Sequence, residues 1–236
     1  MENGKQSQKH GFVFENEIRE KVFNLCHHSN DTNVHDIPCE HNTMNPNENI
    51  SIKATGSYTI FCGDILRFFD YDFSKINTII CIRYAQLSDY KMIKNIYEIN
   101  YNEECHNMLY GNMPREVIQT YVDGVKSIPR NVKGEEAKNI FNYLDEKKRI
   151  QSQYNCKIQI NPKVDSSQSR VQCSITNFEK TLEKFITYKS ERLYPNRIRG
   201  KDICLSIPSG RRERKIKGSP SNSQDEQVTT VQHVSE

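Results

Sequence analysis

Residues 49–55 read Asn49-Ile50-Ser51-Ile52-Lys53-Ala54-Thr55, and the fold is decided here. β-Branched residues alternate with others at the period of a strand. Ser51 and Lys53, two residues apart, project from one face of it. Gly56-Ser57 turns the chain. Residues 58–62 (YTIFC) form another short apolar run, and 63–69 (GDILRFF) reads as a helix start or an irregular segment. Residues 78–84 (TIICIRY) are almost continuously apolar, the pattern of a strand covered on both faces, and 96–101 reads as its neighbour. Upstream, beyond an Asn- and Pro-rich loop at 41–48, residues 34–38 (VHDIP) read as a short strand that Pro38 ends. Before that, Phe14, Ile18, Val22 and Leu25 recur at helical spacing, predicting an amphipathic helix over about 12–26. Glu15, Glu17 and Glu20 lie near its start, where the helix dipole favours anions.

The second half has a different texture. Residues 114–125 read as a helix with Pro114 at an N1-like position. Residues 134–153 read as a longer helix, with Ala137, Ile140, Phe141 and Leu144 as its apolar stripe. The runs from Cys156 and Arg170 flank VDSSQS and predict a β-hairpin. Residues 178–188 read as another helix, with Leu182, Phe185 and Ile186 on one side. Residues 209–236 turn basic and then polar and read as a disordered tail. No internal repeat is evident.

Composition narrows the classes. With 236 residues and 27.6 kDa, the chain suits one large domain or one domain with appendages. The expected division is a single domain over 1–208, its core at about 9–102 and a helical and hairpin segment at about 103–190, followed by the tail. Hydrophobic residues make up 35% and mean hydropathy is −0.79, so the expected core is modest and part of the chain is expected to be disordered. No run in the sequence reaches the roughly 18 apolar residues of a membrane span. The first ten residues lack the apolar run of a secretory signal. Eight cysteines stand scattered with no CxxC pair, the usage of reduced thiols in an intracellular, cytoplasmic protein. Lys and Arg number 33 against 30 Asp and Glu, so any nucleic-acid binding must rest on local clusters.

P-loop, GxGxxG, HExxH and GxSxG patterns are absent. His27, His28 and His35 are metal ligands by residue type, but lone histidines in polar loops are usually solvated, and that reading is preferred here, with His35 capping or packing beside Asp36. The informative constellation is Glu15 on a helix, Asp36 on a short strand and Lys53 on the next strand. Its physical reading is a metal-dependent phosphodiesterase. Mg²⁺ takes one or two carboxylates plus water and phosphate oxygens. Asp36 can reach a metal from its strand, and Glu15 can add a second carboxylate directly or through water. Lys53 can lower the pKa of an attacking water or hold it in line, while the metal offsets charge in the transition state. The same three charges at these spacings are also compatible with an ordinary solvated surface.

Four segments in order, HGFVFENEI (10–18), HDIP (35–38), NISIKAT (49–55) and CGDILRF (62–68), resemble the PD-(D/E)XK nuclease superfamily. More narrowly, they resemble type II restriction endonucleases of bacteria and large DNA viruses. Gly11, Glu15 and Ile18 match the family's helix-borne Glu context, and Asp36 before Ile37-Pro38 matches its strand Asp. The (D/E)-x-K tripeptide appears as Ser51-Ile52-Lys53, with Ser in place of the acid. Glu15, Glu40 and Asp64 are candidates to supply the missing carboxylate, and an inactive relative remains open. The resemblance covers residues 9 to about 100. It implies an α/β fold with a restriction-endonuclease-like mixed sheet of four or five strands flanked by helices. It further implies a Mg²⁺ cofactor, double-stranded DNA as substrate and a homodimer, with products carrying 5′-phosphate and 3′-hydroxyl ends. The catalytic set would be Glu15, Asp36, Ser51 and Lys53, with Asp36 and Glu15 holding the metal. A structure-selective junction nuclease and a non-catalytic DNA-binding protein are the rival readings.

The hairpin at 161–174 (NPKVDSSQSRVQCS) offers DNA contacts. Lys163, Gln168, Arg170 and Gln172 can reach phosphates or base edges, and Ser166 and Ser167 allow close backbone approach. Arg reads guanine and Gln reads adenine, and a β-ribbon fits the major groove. A solvated hairpin of ordinary polar residues is the alternative. The run 211–217 (RRERKIK), with five basic residues, suits loose phosphate contact, a nuclear-localisation patch or a solvated tail.

Overall fold

The structure, a computed structural model, describes residues 5–25, 34–129, 135–164 and 169–208. The tail at 209–236, Ser166, Ser167 and Gln168 lie outside the described residues.

The chain opens with helix α1 (Lys5–Lys21) and, after a 3₁₀ turn at Cys39–His41, enters strand β1 (Glu48–Thr55). Strand β2 (Ile60–Asp64), helix α2 (Ile65–Phe69), strand β3 (Ile76–Gln86) and strand β4 (Tyr90–Asn100) follow. Helices α3 (Glu103–Tyr110), α4 (Arg115–Ser127) and α5 (Glu135–Gln153) lead to strands β5 (Gln159–Val164) and β6 (Ser169–Ile175). A one-turn helix α6 (Phe178–Thr181) and strands β7 (Ile186–Lys189), β8 (Arg197–Ile198), β9 (Lys201–Asp202) and β10 (Ser206–Pro208) complete it.

The architecture is α/β. The main sheet runs β1-β3-β4-β10, with β7 also pairing β4. It is mixed: β1 and β3 are parallel, and β3 and β4 antiparallel. Alternation along the strands builds one core on each face. Ile50, Ile52, Ile80 and Ile82 point to the side where Phe14, Ile18, Val22 and Phe23 pack. Ile79, Cys81, Tyr97 and Ile99 point to the other, against α2, α3, α4 and the second sheet. That double covering is why 78–84 has no polar face. The second sheet, β2-β6-β5, is antiparallel and buries Ile60, Ile160, Val171, Cys173 and Ile175 beneath α4.

Several expectations need correction. The helix expected over 12–26 is displaced toward the N-terminus. It ends at Lys21, and Asn24 takes a left-handed φ of 59°. Segment 34–38 forms one antiparallel bridge, Ile37 to Ile50, rather than a strand. Pro38 opens the 3₁₀ turn, and the Asp36 carboxylate takes the Ile52 N–H that a longer ladder would use. Pro114 is the N-cap of α4, not its first residue. The helix expected over 178–188 stops after one turn, because Ile186-Thr187-Tyr188 has β-forming side chains and fills the open edge of β4. The hairpin forms, but β6 is the middle strand of a sheet and one of its faces is core, so it is no free ribbon. At the end of α3, Gly111 has φ +63°, and a Cβ there would strike the Tyr154 carbonyl, so glycine is required.

Candidate active site

The site lies where β1, the 34–38 segment and α1 meet. Asp36 is anchored twice: Arg19 donates to its backbone carbonyl, and its Oδ2 accepts from the Ile52 N–H. The same oxygen receives Lys53 Nζ at 3.3 Å. Both partners are only about a quarter exposed (24% and 25%), so the pair is screened less than a surface ion pair. Burial opposes the charge on Lys53, but the charge and hydrogen bond of Asp36, joined by the nearby Tyr71 and Cys62 side chains, together hold its pKa above the ordinary value. Lys53 is therefore an ammonium at neutral pH.

Glu15, on α1, lies within electrostatic range of Asp36 and Lys53. Burial, and then the negative charge of Asp36, push its carboxyl up to about 7, against the pull of Lys53 and Arg19. Two carboxylates thus crowd a half-buried place.

Ser51, where the nuclease resemblance expects an acid, is buried and engaged. Its Oγ lies 2.9 Å from the Tyr71 hydroxyl and 3.4 Å from His35 Nδ1. The His35 ring stands edge-on to Tyr71, with centroids 4.5 Å apart. Burial lowers the His35 pKa despite Asp36, so the imidazole is neutral at neutral pH. Burial also pushes the Tyr71 hydroxyl up to about 12. The Ser51–Tyr71–His35 chain is therefore uncharged at neutral pH.

Of the expected residues, Glu15, Asp36, Ser51 and Lys53 gather at this one place. Glu40 does not join them. It is exposed on the rim of a cavity of about 360 Å³ beside His35 and Tyr71, and its own backbone N–H lowers its pKa. Asp64 is spent as the N-cap of α2, accepting from Leu66 N and Arg67 N. Lys163, Arg170 and Gln172 share the outer face of the second sheet, Lys163 directly across from Arg170 and Gln172 across from Asn161. Lys163 is exposed, and Arg170 Nε is buried without a partner. Sequence reasoning missed Arg19, Tyr71 and the bonding of His35. Only Arg19 left a signal, standing four residues after Glu15 on the helix. Tyr71 left none, because twenty residues and a helix separate it from Ser51.

These residues fit a magnesium ion of limited protein ligation. Among the described residues, no three His, Cys, Asp or Glu side chains converge as a complete cage. Asp36 and Glu15 supply two carboxylates whose mutual repulsion a cation would relieve, and Mg²⁺ ordinarily takes its other ligands from water and phosphate.

No helix among the described residues is long and apolar enough to cross a membrane. Comparison with protein-family models, with curated proteins and with solved structures finds no match.

Proposed function

We propose that the chain is a Mg²⁺-dependent endonuclease that hydrolyses phosphodiester bonds in double-stranded DNA at a defined sequence, working as a homodimer on a two-fold site. The observation that carries this reading is the meeting of Glu15, Asp36 and Lys53. Three segments separated in sequence bring two carboxylates and an ammonium to one half-buried point. Asp36 and Glu15 would hold the metal, which when bound supplies a charge that stabilises the transition state. Asp36 also orients Lys53. Lys53, kept protonated, would hold the attacking water in line with the scissile bond and lower its pKa, so that the water's proton passes to bulk solvent as its oxygen attacks phosphorus. Arg19 fixes the Asp36 backbone and so the position of its carboxylate. The outer face of the second sheet, with Lys163, Arg170 and Gln172, would supply contacts to DNA.

Ser51 favours a second reading. With a hydroxyl tied to Tyr71 and His35 where an acid is expected, the chain suits a DNA-binding protein without cleavage. Plasmid digestion with Mg²⁺ separates the two. Discrete bands support the specific endonuclease, cutting confined to branched DNA means a junction nuclease, and binding with no cutting means the second reading.

A further inference from the structure

Arg83 takes no part in the centre described above. It stands on β3 beside Thr55, two residues beyond Cys81, which itself neighbours Lys53. Lys53, Cys81 and Arg83 therefore project from one face, and two residues along a strand span roughly 6.6 Å. The Arg83 guanidinium carries five donors, yet its Nε is buried and makes no hydrogen bond. Its Nη2 reaches Asn95 Oδ1 only at 3.5 Å. The Tyr58 ring covers one face of it at 4.6 Å, and Tyr58 is itself 47% exposed. Among the described residues no carboxylate pairs with it, whereas Arg115, Arg197 and Arg199 each have one or two. A partly buried cation with unmet donors is costly unless an anion completes it.

We infer that Arg83 binds a backbone phosphate of duplex DNA next along the strand from the phosphate that faces Lys53, with Tyr58 as the platform that fixes the guanidinium. The guanidinium fork suits two phosphate oxygens. Arg83 is then a substrate-binding residue, and the inference rests on the reading of the chain as a DNA-cutting enzyme.

The test is binding of a fluorescent duplex to the full chain in EDTA, across a salt series, so that no cutting intervenes. Loss of one phosphate contact weakens binding about eightfold at 0.1 M salt and flattens the log–log salt slope by about 0.9. Arg83→Gln is expected to show both with its melting temperature little changed, and Arg83→Lys to keep the slope. An Arg83→Gln variant that folds and keeps the full slope overturns the inference. Should that variant not fold, phenylglyoxal labelling of the wild type decides. Arg83 protected by duplex supports the contact; Arg83 that reacts equally with and without duplex, or never reacts, overturns it. The two readings fail separately. Wild type that cuts DNA while Arg83→Gln keeps the slope sinks only the Arg83 contact. Wild type that binds with the Arg83-dependent slope but never cuts sinks only the nuclease.

Discussion

Arg199 holds the beginning of β1, and its removal has a calculable effect. Its guanidinium donates to Glu48 at 2.6 and 3.0 Å and to Glu98 at 2.7 and 3.0 Å. Glu48 opens β1 and is 7% exposed, and Glu98 is 13% exposed. Thr78 and Asn42 also donate to Glu48. Arg199 sits at a left-handed φ of 48°, a conformation that the network must hold in place. Arg199→Met keeps the length of the side chain and leaves two buried carboxylates without their cation. Removing one partner of such a pair costs about 3–5 kcal/mol. For a chain of this size that is a fall in Tm of roughly 6–20 °C. The effect depends on pH. Burial alone pushes the Glu48 carboxyl up, but the hydrogen bonds from Arg199 and Thr78 overcome it and hold the pKa below the ordinary value. A lowered folded-state pKa contributes stability above the unfolded value of about 4.5 and loses it as pH falls through the folded one. In the Met variant, protonation relieves the stranded carboxylates instead. Circular-dichroism melts should therefore show the widest gap between wild type and variant at pH 7, narrowing toward pH 4. Equal melting at pH 7, or a gap unchanged at pH 4, would refute the account.

Asp36→Asn should cut the cleavage rate by about 10³ or more while duplex binding in Ca²⁺ persists, checked by single-turnover digestion beside fluorescence anisotropy. Lys53→Ala should also abolish turnover without unfolding the chain, and Lys53→Arg should restore little of it, because the guanidinium directs its donors differently. In EDTA, Glu15→Gln should melt higher than wild type above pH 7 and equally below about pH 4.5, since a raised carboxyl pKa costs stability as pH climbs from 4.5 through about 7; a lower Tm at pH 8 would count against the burial of that charge. On the outer face of the second sheet, Lys163→Ala should weaken binding to all duplexes alike and flatten the salt slope, whereas Arg170→Ala should cost about 1–3 kcal/mol on the cognate duplex only. Full discrimination and affinity in both variants would leave that face as scaffold.

The parts of the fold written in local pattern were readable from the sequence. Strand β3 announced itself because both of its faces are core, and β1 because Ile50 and Ile52 face one core while Ser51 and Lys53 turn away from it. The hairpin was readable, but its membership of a second sheet was not, since β2 joins it from more than a hundred residues upstream. The helix expected at 178–188 failed for the same kind of reason. Leu182, Phe185 and Ile186 satisfy helical spacing, yet the edge of β4 offers Ile186 and Tyr188 a pairing that no local pattern announces. The candidate site divides likewise. Its charged residues sit in recognisable contexts along the chain, while Tyr71 and Arg83 matter only through what the sheet places beside them.

Ser51 is where pattern and physics meet most directly. An acid there would put a third carboxylate near Asp36 and Glu15, at a position only 2% exposed and against a Tyr71 hydroxyl that burial already keeps protonated. Lys53 and Arg19 are the cations near Glu15, and Lys53 is already engaged by Asp36. The half-buried Glu15 is under strain even without that extra charge, because its carboxyl is already pushed to about 7. A neutral hydroxyl, tied to Tyr71 and His35, keeps the strand face packed without adding to that repulsion. In the proposed function a hydroxyl at Ser51 would leave metal holding to Asp36 and Glu15 alone, which makes Glu15 the residue on which the catalytic reading most depends.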